Sequence, residues 1–147
     1  MSIQCYTCKR PRLDSTSEQT GLRFLNVLDP LVSYYAQEYD LPIDETCHYV
    51  YLNGCIGAVK YYASGWWFVD VATHKNVRGK QARDSCRVLL DSFARLFYVF
   101  GYIGIMRKNH LGARVNAKWC GFFYYKDIYF NNKECEIFLR REEWVRQ

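Results

Sequence analysis

The sequence predicts a mixed α/β fold, a sheet with helices on both faces and helical crossovers joining some of its strands. Three observations carry this. The run "CHYVYLNGCIGAVKYYASGWWFVDVAT" holds three strand-like segments divided by Asn53-Gly54 and Ser64-Gly65. Asn-Gly between alternating apolar residues is a strong hairpin signal. Two amphipathic helical stripes follow, each lying between strand-like segments, as crossover connections require. Last, "NNK" divides two strand-like runs and reads as a closing hairpin. The expected order is β-α-α-β-β-β-α-β-α-β-β within a single domain spanning residues 1–147.

In chain order, Ser2 to Thr7 alternates and reads as an opening strand, and "RPRLDSTSEQTG" is polar loop. From Leu22, apolar residues fall at 22, 25, 28, 31, 35 and 39, which is helical spacing. Asp29 before Pro30 predicts an N-cap followed by proline at the first helical position, so two short helices meet there. "DLPIDET" ends this region, and the three strands follow. Cys86, Leu89, Leu90, Phe93, Leu96 and Phe97 then line one face of a helix over 83–98, with Asp84, Arg87, Asp91 and Arg95 on the other. Gly101 is expected to stop it, and "YIGIMR" to be a buried strand. Leu111, Val115 and Trp119 predict a second, shorter stripe closed by Gly121, before the last hairpin over 122–130 and 135–140.

Composition narrows the function classes. Half of the 147 residues are hydrophobic and 18% are aromatic, which predicts an ordered globular chain. The net charge of +5 is scattered; it permits an anionic ligand without demanding nucleic acid. No apolar leader or membrane-length apolar run is read, so a cytoplasmic protein is expected. Seven cysteines in such a chain point to a reducing compartment. The sole CxxC, Cys5 and Cys8, has no second close pair of ligands, so no metal is expected and both read as small buried residues.

The densest charge lies in "THKNVRGKQAR", residues 73–83, between a strand and a helix. A helix N-terminus exposes unpaired N–H groups and partial positive charge, which suits a phosphate. One reading is therefore a backbone cradle over Gly79 to Arg83, with Arg78, Lys80 and Arg83 adding charge. The other is a solvated basic loop that happens to precede a helix.

"VDVATHKNVRGKQARDSCRVLLDSF" resembles the acetyl-CoA-binding segment of the GNAT family, the GCN5-related N-acetyltransferases. Val71-Ala72-Thr73-His74 stands where that family's strand ends, and Arg78-Gly79-Lys80 follows at the matching distance. "NHLGARVNAKWCGF" is similar to a second family segment, with Ala113, Gly121 and Phe122 in matching places. The resemblance covers roughly residues 47–140. It implies coenzyme A in a cleft where two central parallel strands splay apart. Ala72 and Thr73 would face pantetheine, and Arg78, Gly79, Lys80, Gln81, Ala82 and Arg83 the pyrophosphate. Asn109 or its neighbour His110 would lie near the cofactor's far arm. Two departures stand out. Gln81 and Arg83 replace glycines of the family's turn, and its usual tyrosine acid falls at Asn116 or Ala117, neither of which can donate a proton to a leaving thiolate.

The resemblance thus implies acetyl-CoA-dependent transfer to an amine, with Asp70 as the expected base on the strand leading into the turn. A salt-bridged or edge carboxylate is the other reading of Asp70. The alternative function is a non-catalytic interaction or structural protein on an eroded GNAT scaffold, such as a bacteriophage virion component, with protein partners or a homo-oligomer. Cys120 reads as buried and structural, and His74 and His110 as supporting residues beside the cleft. Tyr61, Tyr62, Trp66, Trp67 and the run 122–125 are expected to pack the core and sheet faces, so nucleic acid is not an expected partner.

Overall fold

The computed structural model describes residues 21–142. Ser2 to Thr7, the "RPRLDSTSEQTG" loop up to Thr20, and the Cys5–Cys8 pair lie outside the described residues. The elements are β1 (Arg23–Leu25), α1 (Pro30–Tyr39), β2 (His48–Leu52), β3 (Cys55–Ala63), β4 (Trp66–Thr73), α2 (Gly79–Phe97), β5 (Gly101–Arg107), α3 (Leu111–Trp119), β6 (Phe123–Phe130) and β7 (Lys133–Arg141). The seven strands form one sheet in the order β1-β2-β3-β4-β5-β7-β6. Every neighbouring pair is antiparallel except β4 and β5.

The hairpins form where residues tolerate positive φ. Asn53 and Gly54 take φ of 46° and 83°, Ser64 and Gly65 54° and 82°, and Asn131 and Asn132 51° and 62°. Two consecutive positive φ values are what a type I′ turn needs to match the strand twist. Asp29 caps α1 as expected, its Oδ1 accepting from Leu31 N at 2.9 Å, with Pro30 opening the helix.

Alternation along the strands feeds two cores. Leu22, Val50, Leu52, Cys55, Val59 and Trp67 pack with Cys86, Leu89, Leu90 and Phe93 of α2. On the other face, Tyr49, Ile56 and Ala58 pack with Val32 and Tyr35 of α1. Helices therefore cover both faces of the sheet at β2 and β3.

Several expectations are corrected. The first of the two short helices is the strand β1. Leu28 is 85% exposed, so the spacing from Leu22 marks no buried face, and residues 23–25 instead pair with Tyr51, Val50 and Tyr49 of β2. Helix α2 starts at Gly79 rather than 83, so most of the basic turn is its first turn. It ends in a left-handed Tyr98 (φ 55°), whose N–H donates to Ala94 O, and not at Gly101. Gly101 answers a different demand: a Cβ there would lie 2.4 Å from Trp66 Cζ3. The α3 stripe of Leu111, Val115 and Trp119 is solvent-exposed. So are Tyr61, Tyr62, Phe123, Tyr124 and Tyr125, while Trp67 is core. Strand β6 is at the edge of the sheet, which leaves its aromatics no facing layer.

Candidate functional site

Strands β4 and β5 run parallel for only three residue pairs, Trp66 to Phe68 against Gly101 to Ile103. Beyond Phe68, β4 continues to Thr73 with β3 as its ladder partner on one edge and none on the β5 side. Strand β5 meanwhile continues to Arg107, paired with β7. The sheet therefore opens as a V at its centre. A strand directs successive side chains to opposite faces. Asp70, opposite Ala58, thus faces the α1 side, and Val69 and Val71 pack toward α2.

A cleft of about 550 Å³ fills the α1 side of this V. Phe68, Val69, Ile103, Ile105 and Met106 supply its apolar floor, and Pro42, Asp44 and Cys47 one wall. The β6–β7 turn closes the far side with Phe130, Asn131 and Lys133. The wall is held by Tyr49, whose hydroxyl accepts from Asp44 N at 2.9 Å and donates to Pro42 O at 2.6 Å. Lys60 bonds Asp44 Oδ2 at 3.0 Å, and both Thr46 N and Oγ1 donate to Oδ1. Those bonds, with the Thr46 backbone N–H foremost, hold the Asp44 carboxyl down to about 2.

Asp70 lines the same cleft and makes no salt bridge among the described residues. The surrounding protein displaces water from it and Asp40 adds repulsion, pushing its pKa up to about 6. Its side chain keeps an exposed edge along the concave wall, where a ligand can reach it. A carboxylate poised in this range suits proton abstraction near neutral pH.

Helix α2 begins at Gly79, six residues after β4 ends at Thr73. Arg78 is its N-cap residue and no side chain caps it, so its leading N–H groups remain available. Gly79 takes φ +61° with nothing within 4 Å of where a Cβ would sit, leaving open space beside the turn. The side chains around it are engaged within the chain. Arg78 Nε donates to Lys75 O at 2.8 Å, and Lys80 pairs with Asp84 at 2.7 Å. Arg83 lies over the Trp119 ring at 4.3 Å. Gln81 turns toward a separate pocket beside Tyr34 and His74. Ala82 is half-buried, as are Ala72 and Thr73 at the end of β4. Asn109 is exposed in the turn before α3. Backbone groups, more than side chains, are thus what this turn offers an anion.

The remaining candidates hold the frame. His74 Nδ1 accepts from Asn76 N at 3.0 Å, and its Nε2 lies 3.2 Å from the Tyr34 hydroxyl. His110 caps α3, its Nδ1 accepting from Ala113 N at 3.1 Å. Cys120 is buried, with contact to Cys86 and burial both pushing its thiol up, so it is unreactive. Asn116 donates to Cys86 Sγ at 3.8 Å and points to α2. No group of three or more metal-ligating side chains occurs among the described residues. Nor is any described helix long and apolar enough to cross a membrane. Sequence reasoning missed the floor from β5 and the flanking Lys60, Arg107 and Lys133. Arg107 ends the strand read from "YIGIMR", and nothing local marked it as lining a cleft.

No protein-family profile matches the chain, and no curated protein matches it. Solved structures do. AAC(6')-Ib in complex with ribostamycin and coenzyme A is similar at a TM-score of 0.61 and 13% identity, over 86% of this chain and 95% of that one. A chimeric spermidine N-acetyltransferase from Vibrio cholerae and hSSAT has a TM-score of 0.58 and 11% identity, over 80% and 78%. A GNAT-family acetyltransferase from Bordetella pertussis has a TM-score of 0.52 and 15% identity, over 74% and 70%. The chain has the fold of the GNAT acetyltransferases.

Proposed function

We propose that this protein transfers an acyl group, acetyl in the simplest case, from coenzyme A to a primary amine. The observation that carries the reading is the parting of β4 and β5 after three pairs, with Asp70 on one wall and an uncapped helix N-terminus soon after β4 in the chain. Fold alone does not fix function, so the argument rests on this geometry. The residues fit the donor in two respects. Strand β4 from Val69 to Thr73 has no ladder partner on the β5 side, so alternate backbone groups are free to pair with an amide-containing arm. The α2 N–H groups and the open space at Gly79 suit a pyrophosphate.

The donor supplies a thioester, on which attack by the amine forms a C–N bond as the C–S bond breaks. Asp70 draws the incoming ammonium by charge and accepts its proton, leaving the neutral nitrogen able to attack. Its raised pKa makes it a stronger base than an ordinary carboxylate while leaving it mostly ionised above about 6. The apolar floor of Phe68, Ile103 and Ile105 excludes water that would compete with the amine. Departure of the thiolate needs no dedicated acid, because an ordinary thiol pKa near ~8.5 makes it a fair leaving group, and it takes up the second proton that the nitrogen sheds as the amide forms.

The test is thiol release from acetyl-CoA with and without primary amines, with the amide product identified by mass. Amine-dependent release that falls at least about a hundredfold in Asp70→Asn supports the reading. Tight acetyl-CoA binding with no amine consumed from a broad panel makes the protein a non-catalytic scaffold instead.

A further inference from the structure

We propose that the acceptor is an amino carboxylate, a single primary amine and a carboxylate on an apolar body, of the class of an apolar amino acid. The proposal rests on the transferase reading above and goes further by using the charges that line the cleft. Lys60 and Asp44 pair with each other at 3.0 Å, so each offsets the other's charge. The cleft's remaining charged side chains are Asp70, Arg107 and Lys133. Neither Arg107 nor Lys133 takes part in a side-chain hydrogen bond or ion pair among the described residues.

This leaves one anionic point and two cationic ones around an apolar floor. Asp70 comes from the β4 wall. Arg107 ends β5, where its register partner is Cys135 of β7, and Lys133 opens β7 two residues earlier. The two cations therefore enter the cleft from the β5–β7 side, across from Asp70, with Ile103, Ile105 and Met106 between. An acceptor with one ammonium meets Asp70. A second or third ammonium meets two like charges that no carboxylate pairs among the described residues, which costs binding rather than adding to it. A carboxylate on the same molecule gains charge-assisted hydrogen bonds to Arg107 and Lys133. The apolar lining takes the body between them.

The experiment uses the full chain with saturating acetyl-CoA and three acceptors: phenylalanine, 2-phenylethylamine (the same body without the carboxylate) and spermidine. Expected kcat/KM is highest for phenylalanine, about tenfold lower for 2-phenylethylamine, and lowest for spermidine. In Arg107→Ala with Lys133→Ala, the phenylalanine to 2-phenylethylamine ratio falls toward one. Comparing that ratio between the parent and the double variant cancels the different basicities of the two amines. Preference for spermidine, an unchanged ratio in the double variant, or no transfer to any of the three while acetyl-CoA binds would each overturn the proposal. Calorimetry on the double variant adds a second readout. If acetyl-CoA binding weakens more than about tenfold, the two cations belong to the donor and the assignment is wrong. Transfer to spermidine alone sinks only the acceptor class, whereas a chain that fails to bind acetyl-CoA sinks the transferase reading itself.

Discussion

At Asp70 the cleft holds a carboxylate whose surroundings favour its neutral form. Only the ionised form accepts a proton, so transfer should rise with pH through about 6 and flatten above it, as a pH–rate profile would record. The effect on stability has the opposite sign. A folded pKa above the unfolded one means the native state binds the proton more tightly, so ionisation between the ordinary carboxylate range and about 6 weakens the fold as pH rises. Asparagine cannot ionise. Asp70→Asn should therefore lose activity yet melt no lower than the parent at pH 8, and a lower Tm would mark Asp70 as structural. Gly79 makes a second residue-scale prediction. Its φ of +61° lies in a region that costs a side-chain-bearing residue about 1–2 kcal/mol, with no steric clash added. Urea unfolding of Gly79→Ala should show a loss of that size, and acetyl-CoA affinity should fall as the turn reshapes.

Between elements, the decisive feature is the short joint where β4 meets β5. Gly101 sits at its first pair, packed against the Trp66 ring. Gly101→Ala must push that ring aside and should destabilise the fold by about 1–3 kcal/mol, measurable in denaturant. The wall opposite depends on Tyr49, which bonds both Asp44 N and Pro42 O. Tyr49→Phe leaves those two groups without their partner. It should cost about 1–3 kcal/mol and raise KM for the amine more than it lowers kcat. Much of this scale was legible in the sequence. The three turns follow from Asn53-Gly54, Ser64-Gly65 and Asn131-Asn132, because those residues tolerate positive φ locally. The buried face of α2 follows from its periodicity. Strand β1 was not legible, since three residues become a strand only by pairing with β2. The start of α2 was hidden because Arg78, in the capping position, makes no side-chain cap.

For the whole molecule, two cores clamp the sheet and leave its centre to open. One packs α2 against β2, β3 and β4, and the other packs α1 against β2 and β3. Neither core fills the space where β4 and β5 part. That parting is a matter of long-range register, which no local pattern encodes. The sequence therefore pointed to the basic turn through its charge and place before a helix, and to Asp70 once the resemblance was drawn, but not to Ile105, Arg107 or Lys133 across from them. Three side chains of the turn are engaged within the chain, which local sequence did not signal. The central claim is that the V and the first turn of α2 hold an acyl-CoA. Calorimetric titration of the intact protein with acetyl-CoA tests it most directly. The account predicts saturable one-to-one binding that weakens in Gly79→Ala, and no binding at millimolar acetyl-CoA would contradict it.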